Sequence, residues 1–214
     1  MEAQIKVLII DDHPVFRQGL NLVFSKAPDI EISGEAPEGN EALEKIQENH
    51  YDVVFLDISL PRQNGLEVLK RIKKARPRLP VLMLSMFPEE LYSLRAIKAG
   101  ASGYLTKESS PSELIKAVRQ AAAGKKVFSM ETAEQLFSNI DAASQEKPHE
   151  TLTDREFQIM SMLALAKTPT EIADELCLSV STVFAHRANI LKKMNLSNNA
   201  QLMYYAVTQG LVEP

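Results

Sequence analysis

Between residues 5 and 127 the chain alternates short apolar runs with longer stretches whose apolar residues recur every three or four positions. The short runs, at 6–10, 30–35, 53–56, 81–85 and 103–106, are rich in Val, Ile and Leu and have the length of strands. The stretches between them have the length of helices. The segment 14–27 places Phe16, Leu20, Val23 and Phe24 on one face, and 64–75 does the same with Leu66, Leu69 and Ile72. At 110–113, Ser110 can cap a helix, Pro111 fits its first turn and Glu113 closes a capping box. Strand and helix alternating five times predict an α/β domain, a doubly wound five-stranded parallel sheet.

After Val127 this alternation stops. Residues 131–140 could form one short helix, and 142–150 lack periodic apolar residues, as a linker does. From 151 the pattern is helical. Thr153 with Glu156 and Thr168 with Glu171 are capping boxes that predict helices to about 165 and 176. Ser179 caps a longer helix over 180–194 with Val183, Ile190 and Met194 inward, and a last helix runs over 198–209 to Gly210. Four helices, the second and third joined by Cys177-Leu178-Ser179, predict an all-α helix-turn-helix domain. The expected organisation is therefore 1–127 as the α/β domain, 128–149 as linker and 150–214 as the helical domain.

Composition narrows the setting. With 45% hydrophobic and 24% charged residues, the 214-residue chain is neither disordered nor collagen-like. No apolar run approaches the roughly 20 residues of a membrane span, and Met-Glu-Ala-Gln is not the start of a secretory signal. A single cysteine, Cys177, rules out an internal disulfide framework and suits a reducing cytoplasm. The net charge of −4 conceals an asymmetry. Residues 148–214 hold five Lys/Arg against seven Asp/Glu, yet the span 176–212 carries Arg187, Lys192 and Lys193 and no acid at all.

Four of the strand runs end in polar groups: Asp11-Asp12 after Ile10, Asp57 after Leu56, Ser85 after Leu84, and Thr106-Lys107 after Leu105. Ligands of open parallel sheets bind beyond the carboxyl ends of the strands, so these groups should converge there. Three carboxylates at one edge are costly without a cation, and an all-oxygen ligand set suits a hard divalent ion such as Mg²⁺.

With those residues in place, residues 4 to about 125 resemble the receiver domain of bacterial two-component response regulators. The likeness rests on Asp11-Asp12, on Asp57 within Asp57-Ile58-Ser59-Leu60-Pro61, and on Gly65, Ser85, Tyr104 and Lys107. It implies a flavodoxin-like sheet in which Asp57 accepts a phosphoryl group from a histidine kinase. Asp11, Asp12, Asp57 and the backbone carbonyl of Ser59 would hold Mg²⁺, and Lys107 and Ser85 would bind the phosphoryl oxygens. Tyr104 would act as a rotameric switch coupled to Ser85. Phe87 is read as a packing residue. The chemistry is coherent, since an aspartate attacks an anionic phosphoryl group only if cations offset the charge of the transition state.

Residues 150–212 resemble the DNA-binding domain of the NarL/FixJ (LuxR-type) regulators, through Leu152-Thr153-Asp154-Arg155-Glu156, Glu171-Ile172-Ala173, Leu176, Ser179, Thr182-Val183, His186, Ile190 and Lys193-Met194. The likeness implies that the helix over 180–194 lies in the major groove of promoter DNA. Its outward residues would be Ser181, Phe184, Ala185, Ala188 and Lys192. Phe184 stands where many relatives carry Lys, and Phe and Ala can touch thymine methyls but not grip guanine edges. Thr182, Arg187, Lys192 and Lys193 would contact phosphates, and His186 is either a packed histidine or a further phosphate contact. The two resemblances together imply a non-enzymatic, phosphorylation-dependent transcriptional regulator. It would dimerise on phosphorylation, with RNA polymerase as a further partner.

Two other classes fit less well. A phosphohydrolase working through an aspartyl phosphate places a second acid two residues after the nucleophile, where this chain has Ser59. An adaptor that binds protein through its helical domain would suit the acidic balance and Phe184, but not the acid-free span.

Overall fold

Five parallel strands form the first sheet-bearing unit of the computed structural model, which describes residues 4–130, 132, 134 and 147–212. They are β1 (Ile5–Ile10), β2 (Ile30–Ala36), β3 (Val53–Asp57), β4 (Val81–Ser85) and β5 (Gly103–Thr106), in the spatial order β2-β1-β3-β4-β5. Helices α1 (Pro14–Phe24), α2 (Gly39–Glu48), α3 (Gly65–Ala75), α4 (Glu89–Lys98) and α5 (Pro111–Ala122) connect and follow the strands. Every residue of β3 and β4 is buried, as expected when helices cover both faces of a parallel sheet. One core gathers Val7 and Ile9, Phe24, Phe55, Leu82 and Leu84, with Leu114 and Val118 of α5. The strand order reverses between β1 and β3, which places the crevice for a ligand at their carboxyl ends.

The helix expected over 14–27 stops at Phe24. Proline disfavours helical backbone in the residue before it, and at Pro28 the chain turns back into β2, with the Ala27 N–H bonded to the Phe24 carbonyl at 2.9 Å. In β2 the register slips beside Gly34, where a side chain would meet the Tyr51 hydroxyl at 2.5 Å. The Ser110–Glu113 capping box is formed as predicted.

The boundaries of the first unit differ from the expected linker. Val127 bridges to Gly103, the Ser129 N–H bonds Glu89, and Thr132 is buried, so the chain stays attached to the sheet domain past residue 128. The helix expected over 131–140 lies outside the described residues except at 132 and 134. Compact packing divides the chain between residues 134 and 135.

The second unit also begins before the expected residue 150. A short 3-10 turn, Pro148–Thr151, buries His149, whose Nδ1 lies 2.8 Å from the Tyr205 hydroxyl. Helices α6 (Asp154–Ala164), α7 (Pro169–Glu175), α8 (Val180–Lys193) and α9 (Asn199–Thr208) follow, with both predicted capping boxes present. Phe157, Met160, Ile172, Leu176, Val183, Ile190 and Leu202 form the core. Met194 is buried as expected, and Leu191, not assigned inward, joins it. The α7–α8 turn holds Cys177 at φ 51°, a left-handed position that glycine usually fills. The Leu178 N–H bonds back to the Ala173 carbonyl at 2.8 Å and closes the turn. Among the described residues no helix is long and apolar enough to cross a membrane.

Candidate functional site

The polar strand ends meet as the sheet order requires. Asp11 follows β1, Asp57 ends β3, Ser85 ends β4 and Lys107 follows β5. All except Lys107 are 1% exposed or less, and the Lys107 side chain is 6% exposed. The Lys107 ammonium lies 2.7 Å from Asp57 Oδ2 and 2.7 Å from Asp11 Oδ2. Its nitrogen also sits 4.9 Å from the centre of the Phe16 ring. The Lys107 N–H bonds the Ser85 carbonyl at 2.8 Å and so fixes the start of the β5–α5 loop. The other Asp57 oxygen accepts the Ser59 N–H at 3.0 Å.

Burial pushes the Asp57 carboxyl up; Lys107 pulls it back and Asp11 adds a like charge. Burial alone would lower Lys107, but the facing carboxylates of Asp57 and Asp11 outweigh it and raise its affinity for its proton. The ammonium is therefore held charged between two carboxylates.

Asp11, Asp12, His13 and Asp57 each offer a ligand atom within 4.8 Å of the others. Asp12 Oδ1 is shielded from water and accepts no hydrogen bond among the described residues, although His13 Nδ1 lies 3.0 Å away. A buried carboxylate oxygen without a donor is unfavourable unless a cation meets it. The donor set thus fits a hard divalent ion, with lysine supplying the monovalent charge on the other side.

Ser85 and Tyr104 both engage the backbone of Phe87. The Ser85 hydroxyl accepts the Phe87 N–H at 3.0 Å, and the Tyr104 hydroxyl donates to the Phe87 carbonyl at 2.9 Å. Tyr104 is 3% exposed, and burial holds its hydroxyl well above the usual phenol range. Phe87 is buried against Tyr92, with ring centres 5.3 Å apart, as a packing residue should be.

Sequence reasoning passed over His13 and Arg17. The His13 N–H donates to Asp11 Oδ1 at 2.8 Å and Arg17 bonds the Asp11 carbonyl at 2.6 Å, so both orient the acid. A ligand-type residue directly after Asp11-Asp12 was a readable signal for His13. Arg17 sits on a helix face with no such mark.

In the second unit, α8 exposes Ser181, Phe184, Ala185, Ala188, Lys192 and Lys193, while Thr182, His186 and Arg187 are half-buried. Phe184 is 51% exposed. The Ser179 hydroxyl accepts the Thr182 N–H and caps the helix. Two of the expected phosphate contacts are already bonded. Arg187 Nε donates to Asn199 Oδ1 at 2.7 Å, and the Lys193 ammonium lies 2.6 Å from Glu156 Oε2. Burial and the nearby Arg155 lower the affinity of His186 for a proton, which suits a packed, neutral ring. Lys192 is exposed and has no ion-pair partner among the described residues.

Two families match the chain. Residues 7–119 match the response regulator receiver domain, and residues 150–206 match the bacterial regulatory proteins of the luxR family. The chain is 35% identical over 214 residues to the uncharacterized transcriptional regulatory protein YxjL of Bacillus subtilis, covering 98% of each. It is 32% identical over 210 residues to response regulator GacA of Pseudomonas aeruginosa, again covering 98% of each. Among solved structures, RcsB of Salmonella enterica bound to promoter P1flhDC in the presence of the phosphomimetic BeF3⁻ superimposes with a TM-score of 0.63. That match covers 96% of this chain and 99% of RcsB at 22% identity, a likeness of fold.

Proposed function

The chain belongs to the two-component response regulators, with a receiver domain ahead of a LuxR-type DNA-binding domain, and from that premise we propose that Asp57 is the phosphoacceptor and α8 the DNA-reading helix. The observation that carries this reading is the Lys107 ammonium held 2.7 Å from both buried carboxylates, Asp57 and Asp11, at the carboxyl edge of the sheet. In transfer from a kinase phosphohistidine, an Asp57 oxygen forms the new P–O bond while the P–N bond breaks. The imidazole leaves with the electron pair. Mg²⁺ would be held by Asp11, Asp12, Asp57 and the Ser59 carbonyl, and would supply positive charge to the phosphoryl oxygens. Lys107 is poised to exchange its Asp57 contact for a phosphoryl oxygen, and the Ser59 N–H orients the attacking carboxylate. The Ser85 hydroxyl, which accepts the Phe87 N–H, would donate to a phosphoryl oxygen.

This arrangement supports a division of labour between uptake and response. Lys107→Ala is expected to remain phosphorylatable by a small phosphodonor in Mg²⁺ but to bind DNA with one affinity whether or not donor is present. Parallel label-uptake and DNA-binding measurements check this. Phosphodonor-responsive binding at the wild-type level would overturn the role of Lys107.

Phosphorylation shifts a two-state receiver, and the shift favours a homodimer that grips two half-sites of promoter duplex. Weak single sites support that need for bivalency. With Lys193 and Arg187 engaged within the domain, Lys192 is the one α8 cation without an ion pair or side-chain bond among the described residues. Each neutralised phosphate contributes about −0.9 to the slope of log affinity against log salt, so the slope per half-site should be near −1. Phe184→Lys is expected to strengthen binding and steepen the slope by about 1 per half-site, and Lys192→Ala to flatten it. Lys193→Ala should instead lower the melting temperature of the helical unit through the loss of Glu156's partner. A salt series on promoter fragments, with thermal melts alongside, checks all three; an unchanged slope in Lys192→Ala would sink the assignment.

A histidine kinase and RNA polymerase are the remaining partners of this reading. A phosphohydrolase would need an acid two residues after Asp57, and Ser59 instead donates its N–H to Asp57.

A further inference from the structure

The loop between β4 and α4 joins the sheet edge that carries Ser85 to the start of α4. Glu89 opens α4, and its Oε1 accepts both the Ser129 N–H at 2.9 Å and the Thr132 hydroxyl at 2.8 Å. The Ser129 hydroxyl in turn accepts the Thr132 N–H at 3.1 Å and donates to Thr132 Oγ1 at 3.1 Å. Thr132 is 1% exposed. Its hydroxyl donates to Glu89 Oε1 and accepts from Ser129, so withdrawal of the carboxylate would leave the buried Thr132 proton without its present acceptor. Ser129 and Thr132 lie where the chain leaves the sheet domain toward the helical one, and no step of phosphoryl transfer needs them.

At the other end of the same loop stand the groups that face the phosphoryl site. Phe87 is held by Ser85 through its N–H and by Tyr104 through its carbonyl. Pro88, at φ −56°, follows directly and leaves little freedom between Phe87 and Glu89. The backbone that Ser85 and Tyr104 hold at Phe87 is thus separated from Glu89 by Pro88 alone.

We infer that Glu89 is a positioning residue that ties Ser129 and Thr132 to the β4–α4 loop, so that the state of the loop around Asp57 is passed to the chain leading to the DNA-binding domain. The inference rests on the functional reading above and names the route of its regulation. The coupling is a difference in free energy between loop arrangements with the clasp closed and open, which gives it a measurable size.

The test uses the full-length protein, as wild type, Glu89→Ala, Glu89→Gln and Thr132→Val. The affinity of one promoter duplex is measured with and without BeF3⁻, together with phosphoryl uptake and amide exchange at Ser129 and Thr132. Glu89→Ala and Thr132→Val should take up the phosphoryl group as wild type does. Their affinity ratio between the two states should fall by roughly tenfold, within the usual range of coupling between sites. Glu89→Gln keeps an acceptor oxygen and should retain most of the ratio. Both amides should exchange about tenfold faster in Glu89→Ala but not in Glu89→Gln. A wild-type ratio in both Glu89→Ala and Thr132→Val would overturn the clasp, as would a loss of uptake in Glu89→Ala that accounts for its lost response. A ratio of one in the wild-type protein would overturn the functional reading itself, and the clasp with it.

Discussion

Asp57→Asn is expected to take up no acid-labile phosphoryl label from a small phosphodonor in Mg²⁺, and to bind DNA identically with and without the donor. The amide has nearly the shape of the carboxylate but no anionic oxygen to attack phosphorus. Asp11 and Asp12 do not substitute, because they lie on the neighbouring strand end and Asp11 is tied to Lys107, His13 and Arg17. The loss should therefore be complete, not partial. It should come without loss of folding. Burial and the Asp11 charge both disfavour an ionised Asp57, so a neutral side chain relieves like-charge crowding while Lys107 keeps Asp11. The melting temperature of the receiver should be equal to or above that of wild type. Stoichiometric label surviving in Asp57→Asn would overturn the site.

Gly65→Ala is expected to damage the receiver as deeply as any single substitution that leaves the charged groups in place. A Cβ at Gly65 would lie 2.0 Å from the Asp57 carbonyl oxygen and 2.7 Å from the Ile58 Cα. Both are backbone atoms, and the Gly65 N–H is bonded to the Ile58 carbonyl at 2.8 Å, so neither side can give way cheaply. The clash bears on the turn that carries Asp57 and Ser59. A cost of about 3 kcal/mol or more follows, and with it a fall of roughly 10–20 °C in the melting temperature of the receiver. Thermal melts and phosphoryl uptake check this together, since the displaced turn should also slow uptake. Gly19→Ala is the control: its Cβ meets nothing within 4 Å in the middle of α1, so it should gain about 0.5–1 kcal/mol. A receiver that tolerates Gly65→Ala as well as Gly19→Ala would contradict the close approach on which the site depends.

Much of the buried acidic centre around Asp57 was readable because it is built from strand ends. In a parallel sheet all carboxyl ends lie at one edge, so a polar residue after each apolar run is brought to one place by topology alone. The three capping boxes were readable for a similar reason: the bonds run between residues three apart and need no knowledge of the rest of the fold. The linker limits were not. Ser129, Thr132 and His149 look like ordinary polar residues, and each is drawn into a unit by one partner distant in the chain: Glu89 for the first two and Tyr205 for the last.

The acid-free span shows the same divide most sharply. Along the chain, Arg187, Lys192 and Lys193 have no opposing charge from 176 to 212. In space, α6 packs against α8, and Glu156, held at its own helix start by Thr153, reaches Lys193. Lys193 holds Glu156 below the usual carboxylate range despite its burial. The strands, the helix starts, the order of the two units and the gathering of Asp11, Asp57, Ser85 and Lys107 are legible in linear order, because they follow from local periodicity and from the single direction of a parallel sheet. Which cations remain for DNA, where each unit ends and what Glu89 holds emerge through folding alone. Those depend on side chains that meet across dozens of residues, and linear order carries no record of such meetings.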